Sequence, residues 1–150
     1  MARFNISICI NESLQTVWKA YIDPQNMLKW TRNLEKVEII KGKFGEIGAT
    51  AHLHYLEKGK SYILEDKLLE FESEKRILSQ VSGQGMNIIV ETIFGIFKDN
   101  TKISINWKGT SKSIIARFFL KILQKKIANH AKAELNLFKD LVESHGVKFP

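Results

Sequence analysis

The sequence predicts an α+β domain in which a seven-stranded, curved antiparallel sheet wraps round one long C-terminal helix, with two short helices after the first strand. Three observations carry this. No Gly or Pro occurs between Ser113 and Ser144, and apolar residues recur there at helical spacing, among them Ile115, Phe118, Phe119, Ile122, Leu135, Phe138 and Val142. That pattern gives one amphipathic helix of about 30 residues, roughly 45 Å long. Upstream, segments of period-two alternation are separated by short turn-forming clusters, the mark of consecutive hairpins and so of an antiparallel sheet. Between the first two of these segments the period becomes helical. A single domain of 150 residues is about 35–40 Å across, so the helix must lie over the body. A curved sheet is the natural surface beneath it, and it leaves a groove.

In the first strand, Phe4, Ile6, Ile8 and Ile10 alternate with Asn5, Ser7, Cys9 and Asn11. Ser13 then caps a helix through Ile22 that carries Leu14, Val17, Trp18 and Tyr21. Asp23-Pro24 breaks it, and Pro24 suits the first turn of a second short helix ending near Trp30. Strands follow at 36–41, 49–57, 61–71, 76–82, 86–98 and 102–108. They are joined by the glycines of 42–48, by Lys58-Gly59-Lys60, by a turn at 72–75, by Gly83-Gln84-Gly85 and by Asp99-Asn100. Gly109 to Lys112 opens the final helix. No repeat, linker or low-complexity tract interrupts the chain, so residues 1–150 form one domain.

Composition agrees with a soluble, cytoplasmic protein. Hydrophobic residues make up 44% of the chain, enough to fill a core without metal or disulfide staples. The single cysteine, Cys9, cannot form an internal disulfide, and the amino terminus reads as a strand rather than a cleavable leader. The matches to a glycosylation acceptor at Asn5 and Asn11 are therefore coincidental. The apolar runs 88–97 and 114–123 contain Glu91, or Arg117 and Lys121, and fall short of the roughly 20 residues a membrane span needs. A net charge of +7 admits anionic partners, yet acidic and basic residues are interleaved along most of the chain, which reads as a solubility device.

This order of elements, with Val17-Trp18, Asp23-Pro24, Trp30, the Gly45-Glu46-Ile47-Gly48 turn, Glu74-Lys75-Arg76-Ile77 and the segment from Thr101 to Trp107, resembles the START-like superfamily with the helix-grip fold. That superfamily includes polyketide cyclase/dehydrase and lipid-transport domains. The resemblance spans the whole chain and rests on structural marks rather than a catalytic signature. It implies a bent sheet gripping the last helix and a cavity for apolar small molecules between them.

The residues themselves give candidates for such a site. Ile115, Phe118, Phe119 and Ile122, with Trp30 and Trp107, would make a largely apolar wall, because the first half of the helix holds more apolar residues than one stripe requires. Asp66 shares parity with Tyr62 and Leu64, so Asp66 and Tyr62 are the polar groups expected to contact a ligand; Tyr55 and Glu91 are the other polar groups on apolar strands. His52 and His54 project from one strand face, but Ala51, Leu53 and Tyr55 look like the buried parity, which turns both histidines outward. No Cys or carboxylate cluster completes a metal site, and no cofactor is expected. A nucleophile elbow, a dinucleotide fingerprint and a phosphate loop are absent.

Arg117, Lys121, Lys125, Lys132 and Lys139 follow steps of four and seven along the helix, as a solvated face would. Transient docking on an anionic membrane is the sharper alternative, though the sequence makes no exposed apolar face evident. Nucleic acid is not expected, since no strand interleaves basic and aromatic residues as a stacking platform. The leading function is binding or transport of a hydrophobic small molecule. The alternative is an enzyme resembling polyketide cyclases or aromatases, which needs two perturbed acid or base groups in the cavity. A third reading is action through the surface on a partner protein, as in the chaperone-activator branch of the superfamily.

Overall fold

The computed structural model describes all 150 residues, Met1–Pro150. Its elements run β1 (Ala2–Ile10), α1 (Leu14–Ile22), α2 (Pro24–Trp30), β2 (Leu34–Lys41), β3 (Thr50–Glu57), β4 (Lys60–Glu72), β5 (Arg76–Gly83), β6 (Met86–Phe97), β7 (Asn100–Ser111) and α3 (Ile114–His145). The seven strands form one curved antiparallel sheet of order β1-β7-β6-β5-β4-β3-β2. Sequence neighbours pair by hairpins, and β1 closes the other side by docking on β7. This is the helix-grip arrangement.

Local chemistry sets the helix ends. The Ser13 hydroxyl accepts from the Thr16 amide at 3.2 Å, and Asp23 both ends α1 and caps α2, accepting from the Gln25 amide at 2.9 Å. Pro24 takes the first helical position, where its missing N–H costs nothing. The Ser113 hydroxyl accepts from the Ala116 amide, and Gly146, in the left-handed region at φ 72, stops α3.

Two features depart from the sequence reading. Strand β7 runs to Ser111 rather than stopping at Lys108. Gly109 there is a packing device, since a Cβ on it would lie 2.5 Å from the Trp107 ring. In β4 the register shifts between Leu68 and Glu70. Such a bulge swaps side-chain parity, which brings Phe71 alongside the Trp18 and Phe44 rings.

The core lies between the inner sheet face, α1, α2 and the second half of α3. Ile10, Ile103, Val17, Leu135, Phe138 and Val142 are its most deeply buried side chains. Phe138 meets the rings of Tyr21, Trp30 and Phe149 edge-on. Helix α3 runs alongside β1 in the same direction. The Arg3 amide donates to Gln124 Oε1 at 3.1 Å, Lys132 Nζ donates to the Ser7 carbonyl, and the Asn11 amide donates to Glu143 Oε2 at 2.8 Å.

Candidate functional site

The curved sheet and the α1–α2 pair enclose a cavity of about 390 Å³. Its floor is the inner face of the central strands, where Leu53, Leu64, Val81, Ile88 and Val90 alternate inward. Tyr21, Met27 and Trp30 form one side, and the loop after β2, from Lys41 to Phe44, forms the rim. Of its 27 lining residues 18 are hydrophobic, so the polar ones decide where a ligand could be held.

Asp66 is the half-buried acid at the centre of this lining. Its pairing places it opposite Ala51 on β3 and Val81 on β5, in the middle of the sheet. Burial raises its carboxyl from the ordinary 3.8 to about 6, against a hydrogen bond with Ser79 that works the other way. Burial also raises the Tyr55 hydroxyl above its ordinary range, helped by the negative charges of Glu134 and Asp66. The Tyr21 hydroxyl lies 3.4 Å from Thr92 Oγ1 and is raised to about 12, again mainly by burial. Beside this group, burial raises Glu134 of α3 to about 7, opposed by the Arg32 amide, which donates to Glu134 Oε2 at 3.4 Å. Trp30 Nε1 is buried without a hydrogen-bond partner in the protein.

Of the eight residues expected to contact a ligand, Trp30, Asp66 and Trp107 line the cavity together. Tyr62 lies just beyond it on the same sheet face, stacked on Tyr55 at 5.1 Å and 8°, with its hydroxyl 3.4 Å from Glu57. The expected wall from the helix is corrected. No residue of α3 lines the cavity; Ile115, Phe118, Phe119 and Ile122 are 70%, 64%, 56% and 58% exposed. The first half of α3 turns Ala116, Leu120, Gln124 and Ile127 toward the body, so the face opposite that stripe points outward. The apolar surplus read from the sequence is real, but it faces solvent.

The remaining polar candidates sit on the outer sheet face. His52 and His54 pair with Glu65 at 3.7 Å and Glu38 at 3.0 Å. Glu91 accepts from Asn106 at 2.9 Å and Arg76 at 2.6 Å, bonds that hold it below the usual carboxylate range. No group of three His, Cys, Asp or Glu side chains is placed to hold a metal ion, and no helix is long and apolar enough to cross a membrane. The sequence reading missed Glu134. Its signal was position, for it lies four residues before Phe138 on the buried stripe of α3, where an acid stands out.

Comparison with solved structures agrees with the architecture. The chain matches Ara h 8.0201 at 13% identity over 95% of this chain and 98% of that one, with a TM-score of 0.77. It matches a START superfamily protein from Mycobacterium smegmatis at 12% identity over 96% and 99%, TM-score 0.75. A protein from Chromobacterium violaceum matches at 15% identity over 95% and 97%, TM-score 0.75. No protein-family model matches the chain, and no curated protein matches it significantly. At these identities the likeness is one of fold, and the fold is START-like.

Proposed function

We propose that this chain binds a hydrophobic small molecule in the cavity between its sheet and the α1–α2 pair, with one polar end of the ligand near Asp66. The carrying observation is a cavity of about 390 Å³ with an apolar lining and a half-buried, partly desolvated carboxyl at mid-sheet. That volume falls within the roughly 300–1,000 Å³ range of small-molecule sites. Apolar burial supplies affinity at about 25 cal/mol per Å², and the polar groups supply orientation. Asp66, carrying its proton over much of the mildly acidic range, can donate to a carbonyl or hydroxyl; the unpartnered Trp30 Nε1 is a second donor. A cytoplasmic setting suits the single cysteine, Cys9.

Native mass spectrometry of protein purified from its own host tests this reading. A copurified apolar molecule, displaced from wild type by added ligand and absent from a Val90→Trp variant that fills the cavity, is the expected result. A bound molecule equally present in Val90→Trp would remove the cavity from the account.

A second reading has its own observation. Asp66 and Glu134 are both raised toward neutrality, and each bears electrostatically on Tyr55 and Tyr21. Asp66 lines the cavity and is placed to move a proton on a folded polyketide, as a cyclase- or aromatase-like enzyme would, while Glu134 lies outside the lining and acts on the two tyrosines through its charge. Conversion of a bound polyketide by wild type, lost in Asp66→Asn with binding retained, would favour the enzyme over the carrier.

A further inference from the structure

The first half of α3 exposes a run of large apolar residues flanked by basic ones. Ile115, Phe118, Phe119 and Ile122 cover the side opposite the stripe that packs on the body, with Ile114 and Leu123 at the margins, and all six are exposed. Phe118 and Phe119 meet edge-on with ring centroids 6.3 Å apart. Arg117, Lys121 and Lys125, at steps of four, run along one flank, Lys126 stands at the C-terminal edge, and Lys112 precedes the helix. No Asp or Glu occurs between residues 100 and 133, and none of these five cations takes part in an ion pair.

We propose that this face docks the protein on an anionic lipid surface, with Phe118 and Ile122 entering the headgroup boundary and the flanking cations meeting lipid phosphates. An apolar face bordered by unpaired basic residues is the form that interfacial helices take. Charge selects this occupant over the others. A second copy packed isologously would set the same cations opposite one another with no acid to neutralise them. Nucleic acid would meet phenylalanine and isoleucine where phosphate contacts are needed. The proposal does not depend on what fills the cavity.

Flotation of the full chain with vesicles of phosphatidylcholine alone, and of phosphatidylcholine with phosphatidylglycerol, tests it. Wild type should float with the anionic vesicles and be released by salt. Lys121→Gln/Lys125→Gln should bind about thirty-fold more weakly, each cation near the surface being worth about 1 kcal/mol. Phe118→Ser/Ile122→Ser should lose binding altogether. All four side chains are exposed, so both variants should fold, which far-ultraviolet circular dichroism checks. Flotation equal on neutral and anionic vesicles, or undiminished in either variant, overturns the proposal. So does an absence of flotation, which hands the face to a protein partner. A wild-type dimer that dissociates in Phe118→Ser/Ile122→Ser also overturns it, in favour of a second copy.

Discussion

Replacing Asp66 by Asn should stabilise the protein, and by an amount that depends on pH in a defined direction. The carboxyl binds its proton more tightly when folded than when unfolded, 3.8 rising to about 6 through burial. Stability therefore falls as pH rises through that interval, because the folded chain must give up a proton it holds more firmly. A displacement from 3.8 to about 6 corresponds to about 3 kcal/mol at about 1.4 kcal/mol per unit. Asp66→Asn keeps a polar group for Ser79 and carries no charge to bury. The two proteins should match within about 1 kcal/mol below about pH 4, and the variant should lead by up to about 3 kcal/mol above about pH 7. Urea denaturation of both proteins across this range measures the difference. Glu134, raised to about 7, titrates in both and largely cancels. A difference that stays constant from acid to alkaline pH would refute the reasoning, showing that Asp66 is well solvated and that the cavity floor is wet.

Two further outcomes follow from the packing. Phe138 is fully buried among three aromatic rings, so Phe138→Ala should cost about 3–5 kcal/mol, read as a lowered urea midpoint with an unchanged slope. Gly109→Ala sets a methyl 2.5 Å from Trp107 Cη2. That overpacking should cost about 1–3 kcal/mol and disturb the stacking of Trp107 on Phe4, visible in near-ultraviolet circular dichroism.

Much of the architecture was legible because its signals are local. The alternation of Phe4 to Ile10, the Ser13 and Ser113 caps and the Asp23-Pro24 break each act within a few residues, and the elements begin and end close to them. Gly109 misled because a glycine in a strand and a glycine in a turn look alike until the neighbouring ring is seen. The bulge after Leu68 is invisible to a period-two count, which therefore could not show that Phe71 packs inward against Trp18. The site was half legible. Strand alternation grouped Asp66 with Tyr62 and Leu64 without saying which face turns inward; the structure sets that face, with Trp30 and Trp107, against the cavity or its edge. Helix periodicity shows that the first half of α3 is apolar on two sides without saying which strand it rests on. Bonds from Gln124 in that half, and from Lys132 and Glu143 in the second, tie α3 to β1.

Those three bonds have a wider consequence. The outer margin of β1 would otherwise offer a row of open amides and carbonyls, the template on which foreign strands assemble into fibrils. Gln124, Lys132 and Glu143 meet it at Arg3, Ser7 and Asn11, every fourth position, so a recruited strand would have to displace the whole helix before its first ladder bond could form. At the opposite margin β2 carries Glu35, Lys36, Glu38 and Lys41, which discourage such recruitment by charge. One margin is sealed and the other merely defended, and aggregation of a destabilised variant should start from the defended one.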